Sequence, residues 1–356
     1  MDNYYRSNRN WRILERLQKA HYDVWKLTMS LYASFAYVIA IIIGMVLYYS
    51  FQRRDKKEVA APTEALLKRR KRFQKTPSIF AVLGIESNNN RRNFYAIEDH
   101  FSSFNEVSKA CAKAGLEHCG LIVGIDFTAS NEWQGRKTFH GNSLHRIEGS
   151  KIFNPYQKVI HIMGNTLEPF DDDRNIPAFG FGDSTTLDEN VFPFHSDGSS
   201  CKGFVEVLER YNNIATRVHL SGPTNYAPLI YKAIEIVKQE RQYHILLIIA
   251  DGQVTEEDRT IDAIVAASEY PLSIVVIGVG DGPWETMEDF DNLLPKRKFD
   301  NFQFVNYHKV TAKSRKPELT FALHAMMEIP DQFKTIKAMG YLNKIKQKSE
   351  LQQTDV

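Results

Sequence analysis

Three uninterrupted apolar runs constrain the fold of this chain more than any other feature of its sequence. They span residues 120–125, 244–249 and 272–277, and weaker strand signals lie at residues 176–182 and 302–306. Runs that do not alternate with polar residues are typical of strands buried on both faces, as in parallel sheets. The segments between the runs carry apolar residues at helical spacing. The sequence therefore predicts an α/β domain with a doubly wound, mostly parallel sheet flanked by helices, of the Rossmann-like kind.

A second apolar feature lies near the N-terminus and predicts one transmembrane helix ahead of this domain. Residues 27–52 contain no charged side chain, and the part between Leu31 and Phe51 is almost wholly apolar. A helix rises about 1.5 Å per residue, so this length crosses a hydrocarbon core of about 30 Å. More Lys and Arg follow the segment than precede it, which favours a cytosolic C-terminal part. We expect a single-pass membrane protein with a cytosolic C-terminal domain, in a membrane that the sequence does not identify.

The predicted organisation has five parts. They are a short N-terminal arm (1–26), the transmembrane helix (27–52), a basic polar linker (53–95), the α/β domain (96–342) and a polar C-terminal tail (343–356). Between Arg53 and Lys75 the linker is rich in basic residues, so it either contacts anionic lipid headgroups or is simply solvated. The formal net charge of the whole chain is only +2, which argues against a nucleic-acid partner.

Oxygen-bearing side chains follow the ends of two predicted strands. Asp126, Thr128 and Ser130 come directly after the first apolar run, Asp251 follows the second, and Thr224 introduces the helix between them. Because the carboxyl ends of parallel strands meet at one edge of a sheet, we expect these side chains to converge. Hard divalent cations prefer such oxygen ligands. The alternative for the Asp-x-Thr-x-Ser pattern alone is a capped turn.

The same residues resemble the metal-ion-dependent adhesion site of von Willebrand factor A domains. Further ordered motifs are similar to the copine-type A domain, found in copines and in plant RING-type ubiquitin ligases; they lie at residues 122–131, 179–183, 250–255, 278–284, 301–305 and 327–330. The similarity extends over residues 101–341. It implies the von Willebrand A form of the doubly wound fold.

The resemblance also implies a metal site. It makes Asp126, Thr128 and Ser130 the first metal loop, Thr224 the second and Asp251 the third. The expected cofactor is a divalent cation, Mg²⁺ in the first place, with Mn²⁺ or Ca²⁺ as alternatives. A set with few carboxylates leaves positive charge and an open coordination position, so a protein ligand can supply an Asp or Glu carboxylate.

Two departures from the relatives shape the functional prediction. The stretch before residue 101 is too short for the C2 domains of copines, and no cysteine follows Cys201 to build a RING domain. No nucleophile and base are paired in sequence, so no catalytic residue is predicted. We expect a non-enzymatic, membrane-anchored, metal-dependent adaptor for proteins. The alternative is a component of protein ubiquitination without its own RING domain.

Three weaker sequence signals predict ordinary structural roles and not ligand sites. Gly278, Gly280 and Gly282 predict a tight turn ahead of a helix rather than a dinucleotide loop, because the context of that loop is missing. His145 is expected at the surface or in a loop. The acidic run 171–173 lacks the spacing of a calcium loop and predicts a solvated turn.

Overall fold

A six-stranded sheet lies at the centre of the α/β domain. The computed structural model describes residues 103–149, 153–252, 254–294 and 297–342. The strands are β1 (Gly120–Asp126), β2 (Asn175–Ile176), β3 (Ala178–Phe181), β4 (Val191–Pro193), β5 (Cys201–Lys202), β6 (His244–Ala250), β7 (Leu272–Gly278) and β8 (Phe302–Asn306). The large sheet has the order β4-β3-β1-β6-β7-β8, and only β4 runs antiparallel to its neighbour. β2 and β5 form a separate antiparallel pair.

Helices cover both faces of the large sheet. They are α1 (Phe104–Lys113), α2 (Pro155–Leu167), α3 (Gly203–Ala215), α4 (Ala227–Glu240), α5 (Glu257–Ala267), α6 (Glu285–Leu293), α7 (Tyr307–Thr311), α8 (Pro317–Met326) and α9 (Ile329–Ala338). α4, α5 and α6 pack on one face, and α1, α2, α3, α8 and α9 pack on the other. The predicted α/β class with a mostly parallel sheet is confirmed.

Burial on both faces explains why the three long runs form the inner strands. Every residue of β1, β6 and β7 is buried. Val123, Leu247 and Val275 lie side by side across these strands and belong to one core layer. Ile122 and Leu246 point into the layer on the opposite face. The central strands therefore contribute to two hydrophobic cores. If apolar and polar residues alternated along them, the polar side chains would be buried in one of these cores, away from water.

The topology reverses direction at β1. This strand pairs with β3 on one side and with β6 on the other, so the chain leaves it towards both halves of the sheet. The carboxyl end of a strand at such a reversal is the usual position of ligand sites in sheets of this kind. At Gly124 a side chain would overlap Leu229 of α4. The missing side chain lets α4, and with it the loop before α4, approach β1 closely.

One predicted strand is confirmed only in part. The segment 176–182 was expected to form a single strand, but it divides at Pro177 between the strands β2 and β3, which belong to different sheets. Proline has no amide hydrogen to donate to a neighbouring strand, while its carbonyl oxygen accepts from the amide of Val123 at 3.0 Å.

The prediction of a single-pass membrane protein with a cytosolic C-terminal domain is corrected. Within residues 103–342, apart from the gaps given above, no helix has the length and apolar character needed to cross a bilayer. The longest of these helices is α4, with 14 residues, and a hydrocarbon core of about 30 Å needs about 20. The prediction rested on the apolar length of the segment and on the basic residues that flank it. Residues 27–52, together with the predicted arm, linker and tail, lie outside the described residues.

Candidate metal centre

The first loop of the candidate centre begins where β1 ends. Asp126 is fully buried, and its Oδ1 accepts a hydrogen bond from the amide of Thr128 at 2.8 Å. The hydroxyl oxygens of Thr128 and Ser130 are 2.9 Å apart, because a 3₁₀ turn at Ala129–Glu132 folds the chain back. The carboxylate and the two hydroxyls predicted from the sequence therefore lie together.

Two further loops reach the same edge of the sheet. The register places Ile125 beside Ile249, so Asp126 and Asp251 leave neighbouring strands side by side. The carbonyl oxygen of Thr224 accepts hydrogen bonds from the amide and hydroxyl of Thr255 at 2.9 Å and 3.1 Å. These bonds fasten the loop before α4 to the loop after β6. Thr224 itself is buried, and its contacts in the structure run through its carbonyl oxygen to the loop after β6.

Three carboxylate oxygens in this cluster are buried without a hydrogen-bond partner. They are Oδ2 of Asp126 and both carboxylate oxygens of Asp251. The hydroxyl of Ser130 lies close enough to Asp251 to lower the pKa of that carboxyl in part, but it makes no hydrogen bond of normal geometry to it. Unpaired buried acceptors are costly in a folded protein. A cation is the kind of group that would satisfy all three.

The pKa values of the two carboxyl groups also favour a bound cation. Burial raises the pKa of Asp126 to about 6, although hydrogen bonds from Thr128 oppose the shift. Burial, and then the charge of Asp126, raise the pKa of Asp251 well above its usual range. When two neighbouring carboxyl groups are buried, ionising both has a high free-energy cost unless a positive charge compensates them. The pair is therefore electrostatically suited to a divalent cation.

A buried histidine supports the first loop: His145 lies in a loop, one of the two expected positions, but it is not at the surface. His145 is only 4% exposed, and its ring stacks on Phe127 and on Tyr156 with centroid distances of 4.7 Å and 4.3 Å. Its Nδ1 lies 2.9 Å from the hydroxyl of Tyr211. An isolated histidine in a polar loop does not reveal its packing partners, so this burial could not be predicted from the sequence.

Asn131 is a second support that the spacing of the ligands did not predict. Its side-chain amide donates to the carbonyl oxygens of Asp126 at 3.4 Å and Thr128 at 3.1 Å. Its own Oδ1 accepts a hydrogen bond from the hydroxyl of Tyr156 at 2.7 Å. Tyr156 stands at the start of α2, so the helix and the metal loop are held in one hydrogen-bonded unit.

Two glycines let neighbouring backbone approach the centre. Gly182 has a φ of +79°, and a Cβ at this position would overlap Cγ2 of Thr128. A Cβ at Gly280 would overlap the carbonyl oxygen of Asp251. The loops after β3 and β7 therefore close against the metal loops, which leaves little space for those loops to shift.

Other sequence signals have structural explanations. Gly278 and Gly282 make room for the indole of Trp284, the residue directly before α6. The acidic run 171–173 is only partly a solvated turn, because Asp171 is buried. Burial raises the pKa of its carboxyl to about 6. The described residues contain no group of three or more His, Cys, Asp or Glu that could hold a metal, so the candidate centre depends on hydroxyl donors besides its two carboxylates.

Comparison with known proteins gives a family match and close relatives. The family model described as Copine matches residues 143–345. E3 ubiquitin-protein ligase RGLG4 of Arabidopsis thaliana is 51% identical over 278 residues, which are 74% of this chain and 69% of that protein. Copine family protein 1 of Caenorhabditis elegans is 48% identical over 76% of this chain and 24% of its own length. The crystal structure of the manganese-loaded Plasmodium vivax TRAP protein aligns with 55% of this chain and 71% of that one, at a TM-score of 0.37 and 13% identity.

Proposed function

Because this chain belongs to the copine family, we propose that its α/β domain is a metal-dependent adaptor that binds other proteins. In this proposal Asp126, Thr128, Ser130, Thr224 and Asp251 hold a divalent cation. The three unpartnered, buried carboxylate oxygens of Asp126 and Asp251 are the observation that carries the proposal. A cation would satisfy them and neutralise the two charges together.

The donor set favours Mg²⁺ or a similar hard cation. All five side chains offer oxygen, and Mg²⁺ is usually held by one or two carboxylates and keeps several waters. Mg²⁺ takes octahedral coordination, so these five side-chain oxygens leave a position open at which a further anionic oxygen can bind. An Asp or Glu carboxylate of a partner protein has this chemistry. The aromatic and amide groups behind Asp126 keep the loop in place before a partner arrives.

Calorimetric titration with Mg²⁺ tests the metal site directly. We expect saturable binding by the full chain and loss of binding in Asp126→Ala. Glu132→Gln is the matched control, because Glu132 is an exposed acidic residue in the same 3₁₀ turn as Ser130. Equal Mg²⁺ binding by Asp126→Ala and the unaltered chain would reject the site.

Capture of a carboxylate-bearing protein segment tests the adaptor function. Immobilised full-length chain is exposed to a displayed library of nine-residue peptides, with Mg²⁺ or with EDTA. We expect peptides that contain Asp or Glu to be retained only with Mg²⁺, and not by Asp126→Ala. Retention that does not depend on the metal would contradict a metal-bridged contact.

A second candidate function is participation in ubiquitin transfer. The observation that favours it is the 51% identity to RGLG4, which is named as an E3 ubiquitin-protein ligase. We propose that this chain would then supply the protein-binding part of such a system. An assay with ubiquitin-activating and ubiquitin-conjugating enzymes separates the two candidates. Ubiquitin chains that form when this polypeptide is added to those two enzymes, and that do not form without it, would favour a role in ubiquitin transfer over an adaptor unconnected with it.

A further inference from the structure

The segment that follows the first metal loop is closed on itself. It runs from Asn131 to Leu144, and the amide of Leu144 donates to the carbonyl oxygen of Asn131 at 2.9 Å. The side chains of Phe139 and Leu144 are buried. A compact surface segment whose ends meet and whose own side chains pack inside it is an Ω-loop. Residues 131–144 are called the closed loop below, and they begin directly after Ser130.

Asp281, in the loop after β7, fastens the closed loop through three hydrogen bonds to its carboxylate. Its Oδ1 accepts from the amide and the hydroxyl of Thr138 at 2.9 Å and 2.7 Å. Its Oδ2 accepts from the amide of Lys137 at 2.9 Å. Hydrogen bonds to an ionised acceptor are about twice as strong as those between neutral groups. Both carboxylate oxygens of Asp281 are therefore engaged by one short stretch of the closed loop.

Two further hydrogen bonds connect these two loops, and a third continues to Ser130. The amide of Asp281 donates to the carbonyl oxygen of Gln134 at 2.8 Å. The Nε2 atom of Gln134 donates to the carbonyl oxygen of Gly282 at 2.7 Å. The amide of Gln134 donates to the carbonyl oxygen of Ser130 at 3.0 Å. Asp281 is thus connected, through Gln134, to the main chain of a predicted metal ligand.

The loop after β7 also contacts the third metal loop. The amide of Val279 donates to the carbonyl oxygen of Ala250 at 2.8 Å. The backbone of Gly280 approaches Asp251 so closely that a Cβ at Gly280 would overlap the carbonyl oxygen of Asp251. The next residue, Asp281, holds the closed loop. The loop after β7 therefore contacts the segments that carry both carboxylates of the candidate centre, although no ligand is predicted in it.

We propose that Asp281 is a positioning residue of the metal centre. By holding the closed loop against the loop after β7, it fixes Ser130 relative to Asp251 before the cation binds. Groups outside the coordination sphere that orient the ligands contribute to metal affinity, and their loss weakens binding by about 10- to 100-fold. The inference rests on the proposed metal-dependent function and adds a residue that regulates the affinity of the site for its cation.

Calorimetric titration of the full chain with Mg²⁺ tests this role. Asp281→Ala removes all three bonds to the carboxylate, and we expect it to weaken Mg²⁺ binding roughly tenfold, the lower end of the usual range, because Asp281 acts through Gln134. Asp197→Ala is the matched control. Asp197 accepts in the same way from the amide and hydroxyl of Ser199, at 3.0 Å and 2.7 Å, in the loop before β5. This variant should keep the full Mg²⁺ affinity.

A second variant and added salt separate positioning from the charge of Asp281. Asp281→Asn removes the charge but keeps one oxygen for the bonds from Thr138, so its Mg²⁺ affinity should lie between those of the unaltered chain and Asp281→Ala. Raising KCl from about 0.1 M to about 1 M shortens the screening length from about 10 Å to about 3 Å. The affinity ratio between the unaltered chain and Asp281→Ala should persist. A ratio that falls to one in the high salt would assign the effect to charge and overturn the positioning role.

Hydrogen exchange followed by mass spectrometry shows where the variants act. Without Mg²⁺ we expect faster exchange over residues 131–144 in Asp281→Ala, and no change there in Asp197→Ala. If Asp281→Ala does not fold, the comparison is made with Asp281→Asn, which should still bind Mg²⁺ less tightly than the unaltered chain. Full Mg²⁺ affinity in the folded Asp281 variants overturns the positioning role and leaves the metal site intact. If the unaltered chain does not bind Mg²⁺, both proposals fail.

Discussion

The Nε2 atom of His145 lies 2.8 Å from the main-chain carbonyl oxygen of Asp126. A carbonyl oxygen only accepts hydrogen bonds, so Nε2 carries the hydrogen and Nδ1 accepts from the hydroxyl of Tyr211. Tyr211 in turn accepts from the side-chain amide of Asn154 at 2.9 Å. This chain of hydrogen bonds requires a neutral imidazole. It connects the cap of α2 to the residue that begins the first metal loop.

Replacing His145 with phenylalanine should destabilise the domain and weaken its binding of Mg²⁺. The aromatic stacking is retained, but the carbonyl of Asp126 and the hydroxyl of Tyr211 each lose one of their two buried partners, which costs about 1–3 kcal/mol. Urea unfolding measures the loss, and calorimetry measures the Mg²⁺ affinity. His161→Phe, at an exposed position of α2, is the control and should change the stability by less than about 0.5 kcal/mol. Equal effects of the two substitutions would contradict a supporting role of His145.

The stability difference between the unaltered chain and His145→Phe should shrink as the pH falls. Burial lowers the pKa of His145 from 6.5 to about 3, although its hydrogen bond to Asp126 opposes the shift. Below pH 6.5 the unfolded chain takes up a proton at this residue and the folded chain does not, until the pH approaches 3. The unaltered chain thus loses up to about 1.4 kcal/mol per pH unit in this window, and the variant does not. Urea midpoints of both chains in EDTA at several pH values measure the effect; a constant difference would show that His145 titrates normally.

Asp251→Asn should change stability in opposite directions with and without Mg²⁺. Without the cation the variant should be more stable by about 1–3 kcal/mol at neutral pH, because it removes a buried carboxyl beside Asp126. The sign follows from the raised pKa of Asp251: an acid whose pKa rises on folding loses stability as the pH increases above its unfolded value. Excess Mg²⁺ should then stabilise only the unaltered chain. Thermal melts in EDTA and in MgCl₂ measure both effects. A variant that is less stable than the unaltered chain under both conditions would argue against electrostatic repulsion between the two carboxylates.

Local patterns predicted those parts of the fold that local physics determines. The runs around Val123, Leu247 and Val275 are apolar throughout, so burial on both faces could be inferred without knowing the neighbours of each strand. Asp126, Thr128 and Ser130 are brought together by two-residue spacing at a strand end, and the structure gives them this arrangement. Their role as metal ligands stays a prediction.

The support behind the candidate site depends on contacts that are distant in sequence. His145 is 19 residues from Asp126 and 66 from Tyr211, and no spacing rule connects them. Its burial follows only from the packing of α2 and α3 against β1. The division of the segment 176–182 has a local cause instead, because Pro177 has no amide hydrogen to continue a strand ladder.

Gly182→Ala should damage the candidate metal centre more than the same change at a glycine with equal backbone strain. Gly182 and Gly198 have φ values of +79° and +78°, so alanine incurs a similar left-handed penalty of about 1–2 kcal/mol at both positions. At Gly198 a new methyl group meets no atom within 4 Å, whereas at Gly182 it overlaps Thr128.

The overlap at Gly182 should add about 1–3 kcal/mol of destabilisation, the usual range for overpacking. It should also weaken Mg²⁺ binding, because relief requires the first metal loop to move. Gly198→Ala should leave the Mg²⁺ affinity unchanged. Urea unfolding and Mg²⁺ calorimetry on both variants measure the two differences. If both variants lost equal stability and kept full Mg²⁺ affinity, the contact between the loop after β3 and Thr128 would have no part in holding the metal site.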